Sequence, residues 1–378
     1  MKEIGIYVHI PFCVKKCEYC DFVSYANKEE AVPAYIESLK KEIKTTKKEV
    51  KEEYVVKTIY IGGGTPSFIA PRYMKDILDH IRKSWKVSNK CEITIEVNPG
   101  TVDEDKLKEY YDFGINRISI GMQAVDNDIL KIIGRIHTYE EFLECYKFAQ
   151  KAGFKNINVD VMIGLPTQRV NGVEEATDKL LKLEPNHISI YSLILEEDTN
   201  LEKRVKNQEI FLVNEDEERE MYWIAKRKLE DAGYIHYEIS NFAKKGYESA
   251  HNLDCWNQHE YIGFGVAAHS YLNKKRYSNT KDLKKYIAKA KENVFEKEIH
   301  EIQTEEAEQK EYMMLGLRKI SGVKISEFKN KFIENPLYIF RNELHKLAVE
   351  DLIEIDEDDI RLTDKGLDLA NQVWEEFL

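Results

Sequence analysis

Up to about residue 195 the chain alternates short apolar runs with longer stretches of helical period. The runs Ile4–Ile10, Lys57–Ile61, Cys91–Val97, Arg117–Gly121, Asn156–Ile163 and His187–Leu193 are rich in Ile, Val and Tyr and have the length of strands. Between them the apolar spacing predicts helices over Ala34–Lys48, Tyr73–Trp85, Asp103–Phe113, Tyr139–Ala152 and Gly172–Leu183. Thr101-Val102-Asp103-Glu104 has the form of a capping box and is expected to open the third helix. Gly114 and Gly153 fall where a left-handed residue closes a helix. Strands alternating with helices imply parallel pairing and right-handed crossovers, hence an α/β fold. An open doubly wound sheet and a barrel, complete or partial, both satisfy the pattern. Either puts its chemistry at the carboxyl ends of the strands.

Beyond residue 200 the rhythm changes. A charged helix is expected over Asn214–Ala232 and a strand over Tyr234–Ser240. Asn241–Ser270 is rich in Gly, Asn, His and aromatic residues and reads as loop, and the Lys/Glu-rich segment 281–300 as a surface helix. Helices then follow over Glu305–Leu317, Ile325–Phe332, Pro336–Glu350 and Leu367–Phe377. A hairpin of Leu352–Ile355 and Ile360–Leu362 lies between the last two, which suggests a winged-helix module. The expected organisation is an α/β domain over 1–240, a loop-rich connector over 241–300 and a mostly helical winged-helix-like domain over 301–378.

Composition narrows the function classes. With 43% hydrophobic and 33% charged residues the chain reads as a globular protein. No run approaches the roughly eighteen apolar residues of a membrane span. Met1–Ile10 lacks the basic and long apolar parts of a signal peptide, so a cytoplasmic location is expected. The net charge is −12, and His300–Leu378 carries 19 acidic against 10 basic residues. That balance speaks against nucleic acid as a partner and against the winged helix as a DNA-binding regulator. Of six cysteines, Cys13, Cys17 and Cys20 crowd together while Cys91, Cys145 and Cys255 stand alone. Metal or redox chemistry suits this spacing better than a disulfide framework.

The unusual residues share one rim. Cys13 follows the first predicted strand, Gly62-Gly63-Gly64-Thr65-Pro66 the second, and Glu96-Val97-Asn98-Pro99-Gly100 ends the third. Gly121-Met122-Gln123 follows the fourth, and Asp160 with Gly164-Leu165-Pro166 closes the fifth. Cys13, Cys17 and Cys20 offer three thiolates in one loop, enough for a [4Fe–4S] cluster with one iron left for an outside ligand. A zinc site with one distant ligand competes with this, although structural zinc sites usually pair two Cys-x-x-Cys units.

Cys13-x-x-x-Cys17-x-x-Cys20 after a first strand resembles the radical S-adenosylmethionine superfamily. The run Tyr7–Phe22 is similar to one branch of it, the oxygen-independent coproporphyrinogen III oxidases and their heme-chaperone relatives. The resemblance continues through Gly62–Ser67, Glu92–Gly100, Asn116–Gln123, Gly134–Thr138, Asp160–Pro166, His187–Leu193, Tyr237–Ala243 and Gly263–Ser270. It implies a partial (β/α)6 barrel, a cluster on the three cysteines and S-adenosylmethionine on the open iron. It further implies that Tyr7, Gly62, Gly63, Gly64, Thr65, Glu96, Gln123, Arg135 and Asp160 bind that cofactor. The chemistry agrees with those roles. Glycines let backbone approach the cofactor, carboxylates suit ribose hydroxyls, and a guanidinium suits a carboxylate.

Two features favour the chaperone branch over the oxidase. The oxidase has a further cysteine two positions after the third, where this chain has Phe22. It also has an extension before its first barrel strand, whereas Tyr7 stands near the start here. The chaperones carry His-Asn-x-x-Tyr-Trp where this chain has His251-Asn252-Leu253-Asp254-Cys255-Trp256. Heme is therefore an expected ligand, with His251 or Cys255 on the iron and His269 in reserve. Trp256, Tyr261, Phe264 and Tyr271 would be apolar walls, beside Gly263 and Gly265. The implied partners are an electron-donor protein and a heme acceptor, soluble or membrane-associated. Decarboxylation of coproporphyrinogen III is the alternative and is not expected.

Overall fold

The computed structural model describes Met1–Leu378. The alternating pattern becomes β1 (Lys2–Ile10), two short paired bridges β2 (Phe12–Cys13) and β3 (Tyr25–Ala26), and β4 (Tyr54–Gly63), β5 (Lys86–Val97), β6 (Arg117–Gln123), β7 (Ile157–Ile163) and β8 (His187–Ser192). The intervening helices are α1 (Val32–Glu49), α2 (Pro71–Ser84), α3 (Glu104–Asp112), α4 (Asn127–Ile132), α5 (Tyr139–Ala152) and α6 (Val170–Leu181), followed by α7 (Asn200–Lys206) and α8 (Glu215–Asp231). β1 and β4 to β8 pair in parallel order and make a partial (β/α)6 barrel. Alternation assigns the faces. In β1, Ile4, Ile6, Val8 and Ile10 enter the main core, leaving Gly5, Tyr7 and His9 on the inner face.

Several local expectations are corrected. β4 and β5 begin earlier than their apolar runs, because a register shift between Val56 and Thr58 lets Lys86 and Val87 join the ladder. The cap of α3 is Asp103, whose carboxylate accepts from Lys106 N at 2.8 Å. Thr101 instead donates to the Asn98 carbonyl at 2.7 Å. The true capping box is Thr138 with Glu141 at α5. Gly114 and Gly153 are left-handed, as expected.

The expected loop-rich connector over 241–300 is instead mostly ordered. β9 (Ile235–Glu238) and β10 (Asn241–Ala243) extend the sheet beyond β8. After α9 (Ala250–Trp256), β11 (Tyr261–Phe264) pairs parallel with β1 on the other side. β12 (His269–Leu272), β13 (Lys275–Asn279) and, past α10 (Leu283–Lys291), β14 (Lys297–Ile302) follow antiparallel. The glycines that read as loop serve packing. A Cβ on Gly263 would stand 2.1 Å from the His269 carbonyl oxygen. The segment expected as one surface helix thus stops at Lys291 and ends in an edge strand.

The C-terminal region has its own core, including Met313, Leu317, Phe328, Phe340 and Val373. It comprises α11 (Glu305–Gly316), β15 (Val323–Lys324), α12 (Ile325–Phe332), α13 (Pro336–Ile339), α14 (Arg341–Val349), β16 (Ile353–Ile355), β17 (Asp359–Leu362), α15 (Asp364–Asp368) and α16 (Ala370–Glu375). Helices beside a three-stranded sheet make the winged-helix-like module. The last two helices expected here each break, at Phe340 and at Leu369. No helix is long and apolar enough to cross a membrane.

Candidate cofactor site

The carboxyl ends of the barrel strands surround a cavity of about 500 Å³. Cys13, Cys17, Cys20, Gly63, Gly64, Thr65, Glu96, Gln123, Arg135 and Asp160 all line it. Gly62, Tyr7 and His251 do not reach its wall. Gly62 lies behind the Glu96 carboxylate, which a Cβ there would meet at 3.0 Å. Tyr7 donates or accepts at His9 Nδ1, 2.9 Å away, and its ring stacks near Tyr60 at 6.3 Å.

The cysteine loop is held at both ends. The β2–β3 bridge pairs Cys13 with Ala26, and His9 Nε2 bonds the Val23 carbonyl at 2.8 Å. At its middle, Glu18 N donates to the Ile133 carbonyl after α4 at 3.0 Å. Thr65 Oγ1 donates to Cys13 Sγ at 3.5 Å and Arg135 Nη1 to Cys17 Sγ at 3.6 Å. All six cysteines are free thiols. Burial raises Cys13 and pushes Cys20 up to about 11, so iron binding must displace their protons. Cys91 and Cys145 are buried in the core, far from this chemistry. No three His, Cys, Asp or Glu side chains converge tightly enough for a single metal ion. Cys13, Cys17 and Cys20 line one roomy cavity, with space for a multi-iron cluster.

The glycine turn leaves no room for side chains. A Cβ on Gly63 would meet the His9 ring at 2.7 Å, and one on Gly64 would meet Cys13 Sγ at 2.8 Å. Across the cavity Arg135 Nη2 donates to Asn98 Oδ1 at 2.5 Å and to the Gly121 carbonyl at 3.0 Å. Its buried Nε has no partner. Gln123 takes a left-handed φ of 65°, rare outside glycine, and accepts from Tyr191 Oη at 3.0 Å. Glu96 accepts from Tyr60 Oη at 2.9 Å and from Gly63 N at 3.1 Å. Burial nevertheless pushes its carboxyl up to about 7. Asp160, also raised by burial, accepts from Ser119 at 2.9 Å and from Asn158 at 2.8 Å. The donor set fits both groups that the resemblance implies: thiols for a cluster, and glycine backbone, carboxylates and a guanidinium for an amino-acid nucleoside.

The sequence does not single out Tyr60, Ser119 or Tyr191 as cavity residues, and Asn98, which it places on the rim, carries no assigned role there. One signal was available for Tyr60, which stands two positions before Gly62 and so shares its sheet face.

The three candidate heme ligands are scattered. His251 is only 7% exposed, shares a 2.9 Å hydrogen bond with Thr58 Oγ1 and stacks on Tyr60 at 5.2 Å. Burial lowers it to about 4, so it is neutral. Cys255 is pushed up to about 12 by burial. Trp256 lies against Arg318 at 4.4 Å, and the other contact of that guanidinium is Trp374 at 4.5 Å. His269 is exposed, with its ring stacked on His300 at 5.3 Å.

Comparison with known proteins follows these divisions. Residues 7–180 match the radical SAM superfamily and 303–369 the HemN C-terminal domain. The chain is 38% identical to the heme chaperone HemW of Bacillus subtilis over 98% of both chains. It is 38% identical to heme chaperone HemW of Lactococcus lactis over 100% of this chain and 98% of that one. The solved coproporphyrinogen III oxidase HemN of Escherichia coli superposes with a TM-score of 0.87 at 21% identity, covering 100% of this chain and 90% of that one. That likeness establishes a shared fold. On the full-length identity, the chain belongs to the HemW family of the radical SAM superfamily.

Proposed function

We propose that this protein is a heme chaperone, binding heme and delivering it to an acceptor protein. The observation that carries the reading is identity along the whole chain to proteins named as heme chaperones. Phe22 supports it: where the oxidase has a further cysteine, this side chain is 59% exposed beside the cavity. Family membership implies a [4Fe–4S] cluster and S-adenosylmethionine. Cys13, Cys17 and Cys20 would hold the cluster, and Gly63, Gly64, Thr65, Glu96, Gln123, Arg135 and Asp160 would surround the cofactor, with Gly62 and Tyr7 behind them on β4 and β1. When bound, the cluster supplies an electron and an open coordination site. The protein's own part is to exclude side chains at the glycine turn, clamp with Arg135, and hold Glu96 and Asp160 toward hydroxyl groups. Free thiols and no membrane-crossing helix suit a cytoplasmic setting with an electron-donor protein.

Among the candidate axial ligands, accessibility favours His269. A porphyrin disc needs an axial ligand it can reach from solvent, and His269 is exposed whereas His251 is enclosed and Cys255 only partly accessible. The test is a heme titration of reconstituted protein followed by the Soret band. One heme per chain is expected, with His269→Ala changing the spectrum and weakening binding about tenfold or more, and with no decarboxylation of coproporphyrinogen III. Absence of saturable heme binding, together with turnover of that porphyrinogen, would replace the chaperone reading by the enzymatic one.

A further inference from the structure

His251 lies one layer beneath the cofactor cavity, and what it touches defines a role there. Backbone N–H groups of Ala250 and His251, at the start of α9, donate to the Glu92 carboxylate at 3.1 Å each. Glu92 shares the inner face of β5 with Glu96, two pleats further along. Thr58 and Tyr60 share the inner face of β4 in the same way. The imidazole bonds the first through Nδ1 at 2.9 Å and stacks on the second at 5.2 Å and 27°. Gly5 completes the niche: a Cβ there would meet Thr58 Oγ1 at 3.0 Å and His251 Cε1 at 3.5 Å. The ring is thus fixed by a hydrogen bond, a helix start and a missing side chain.

Tyr60 carries that placement upward. Its ring rests on His251, and its hydroxyl donates to Glu96 Oε1 at 2.9 Å. The other Glu96 oxygen accepts from Gly63 N at 3.1 Å, tying the carboxylate to the glycine turn. Tyr60, Gly63 and Glu96 line the cavity, whereas His251, Thr58 and Glu92 do not. Without the imidazole a void would open behind Tyr60, and its aromatic ring could rotate away from the carboxylate it orients.

We infer that His251 is a positioning residue for S-adenosylmethionine, acting through Tyr60 on Glu96. The inference rests on the proposal that Glu96 receives the cofactor's ribose. It assigns the histidine of the His251–Trp256 segment a part in supporting the cofactor pocket.

The experiment is calorimetric binding of S-adenosylmethionine to anaerobically reconstituted protein, with iron content and the heme spectrum measured on each variant. Glu96→Gln tests the underlying proposal and is expected to weaken cofactor binding. Unchanged binding in that variant overturns the ribose assignment and the inference with it. His251→Ala is expected to weaken binding about tenfold, roughly 1.4 kcal/mol, with iron content and heme spectrum unchanged. Tyr60→Phe keeps the stack but loses the donor, and His251→Ala should have little further effect in that background. His251→Phe restores an aromatic support and should recover binding to within about threefold of wild type. Weakening in Glu96→Gln with none in His251→Ala overturns the inference. So does an undiminished loss from His251→Ala in the Tyr60→Phe background, or a changed heme spectrum with unchanged cofactor binding. If His251→Ala does not fold, His251→Leu, which fills the space without an aromatic face, takes its place: weaker cofactor binding supports the role, and wild-type binding overturns it.

Discussion

The cavity rim and the His251–Trp256 segment organise function in opposite ways. The rim draws Cys13, Gly63, Glu96, Gln123 and Asp160 from separate strand ends, far apart in sequence, and brings them around one space. The segment has neighbours in sequence that part in space. His251 supports the floor of the cavity through Tyr60, and Trp256 joins Arg318 and Trp374 at the junction with the C-terminal core. A short motif on a helix does not make a single site, because positions five apart leave the helix in different directions. A row of strand ends does, because parallel pairing forces them onto one edge.

The largest expected effect breaks the rim. Replacing Cys17 by Ala should reduce iron from about four per chain to near zero, while Cys145→Ala, deep in the core, should keep it. Iron and sulfide analysis after anaerobic reconstitution checks this, and full iron retention in Cys17→Ala would remove the cluster assignment. Next, Trp256→Ala should lower stability by about 2 kcal/mol through lost packing and the lost guanidinium contact, without altering cofactor affinity. Denaturant unfolding against calorimetric binding separates those outcomes. An intact midpoint with lost heme binding would return Trp256 to the ligand wall.

The smallest effect concerns pH and sharpens the rim's chemistry. Burial raises the folded Glu96 carboxyl to about 7, above its ordinary value of 4.5. The folded state therefore binds more protons than the unfolded state between those values. Stability contributed by this group falls as pH rises through that window, with a slope of at most about 1.4 kcal/mol per pH unit. Glu96→Gln should flatten the curve and be relatively more stable at pH 8 than at pH 5. Chemical denaturation of cofactor-free protein at both values measures it, and identical pH profiles would show that Glu96 is not held protonated by the fold.

Much of this was legible in order along the chain. The barrel's strands and helices follow from apolar periodicity, and their alternation alone places Cys13, the glycine turn, Glu96, Gln123 and Asp160 on a shared rim. The sheet beyond β8 and β11 was not legible. Gly263 and Gly265 look like loop when read locally, yet their lack of side chains is what admits neighbouring backbone and the Tyr35 ring. Capping at α3 was similarly ambiguous, since Thr101 and Asp103 are both good caps and only the chain's path past Ser67 decides between them.

The sequence by itself determined which residue types stand at the strand ends, because hydrophobic period and turn chemistry are local properties. It also placed a neutralisable histidine and a tryptophan five residues apart on one segment. Only the tertiary structure decided that this histidine meets Tyr60 from β4 and that the tryptophan meets Arg318 from beyond α11. Those contacts depend on where a helix docks against strands 193 residues away in sequence, as the Thr58–His251 bond shows. Local periodicity says which side of a helix is apolar; it holds no information on which distant face that side will find.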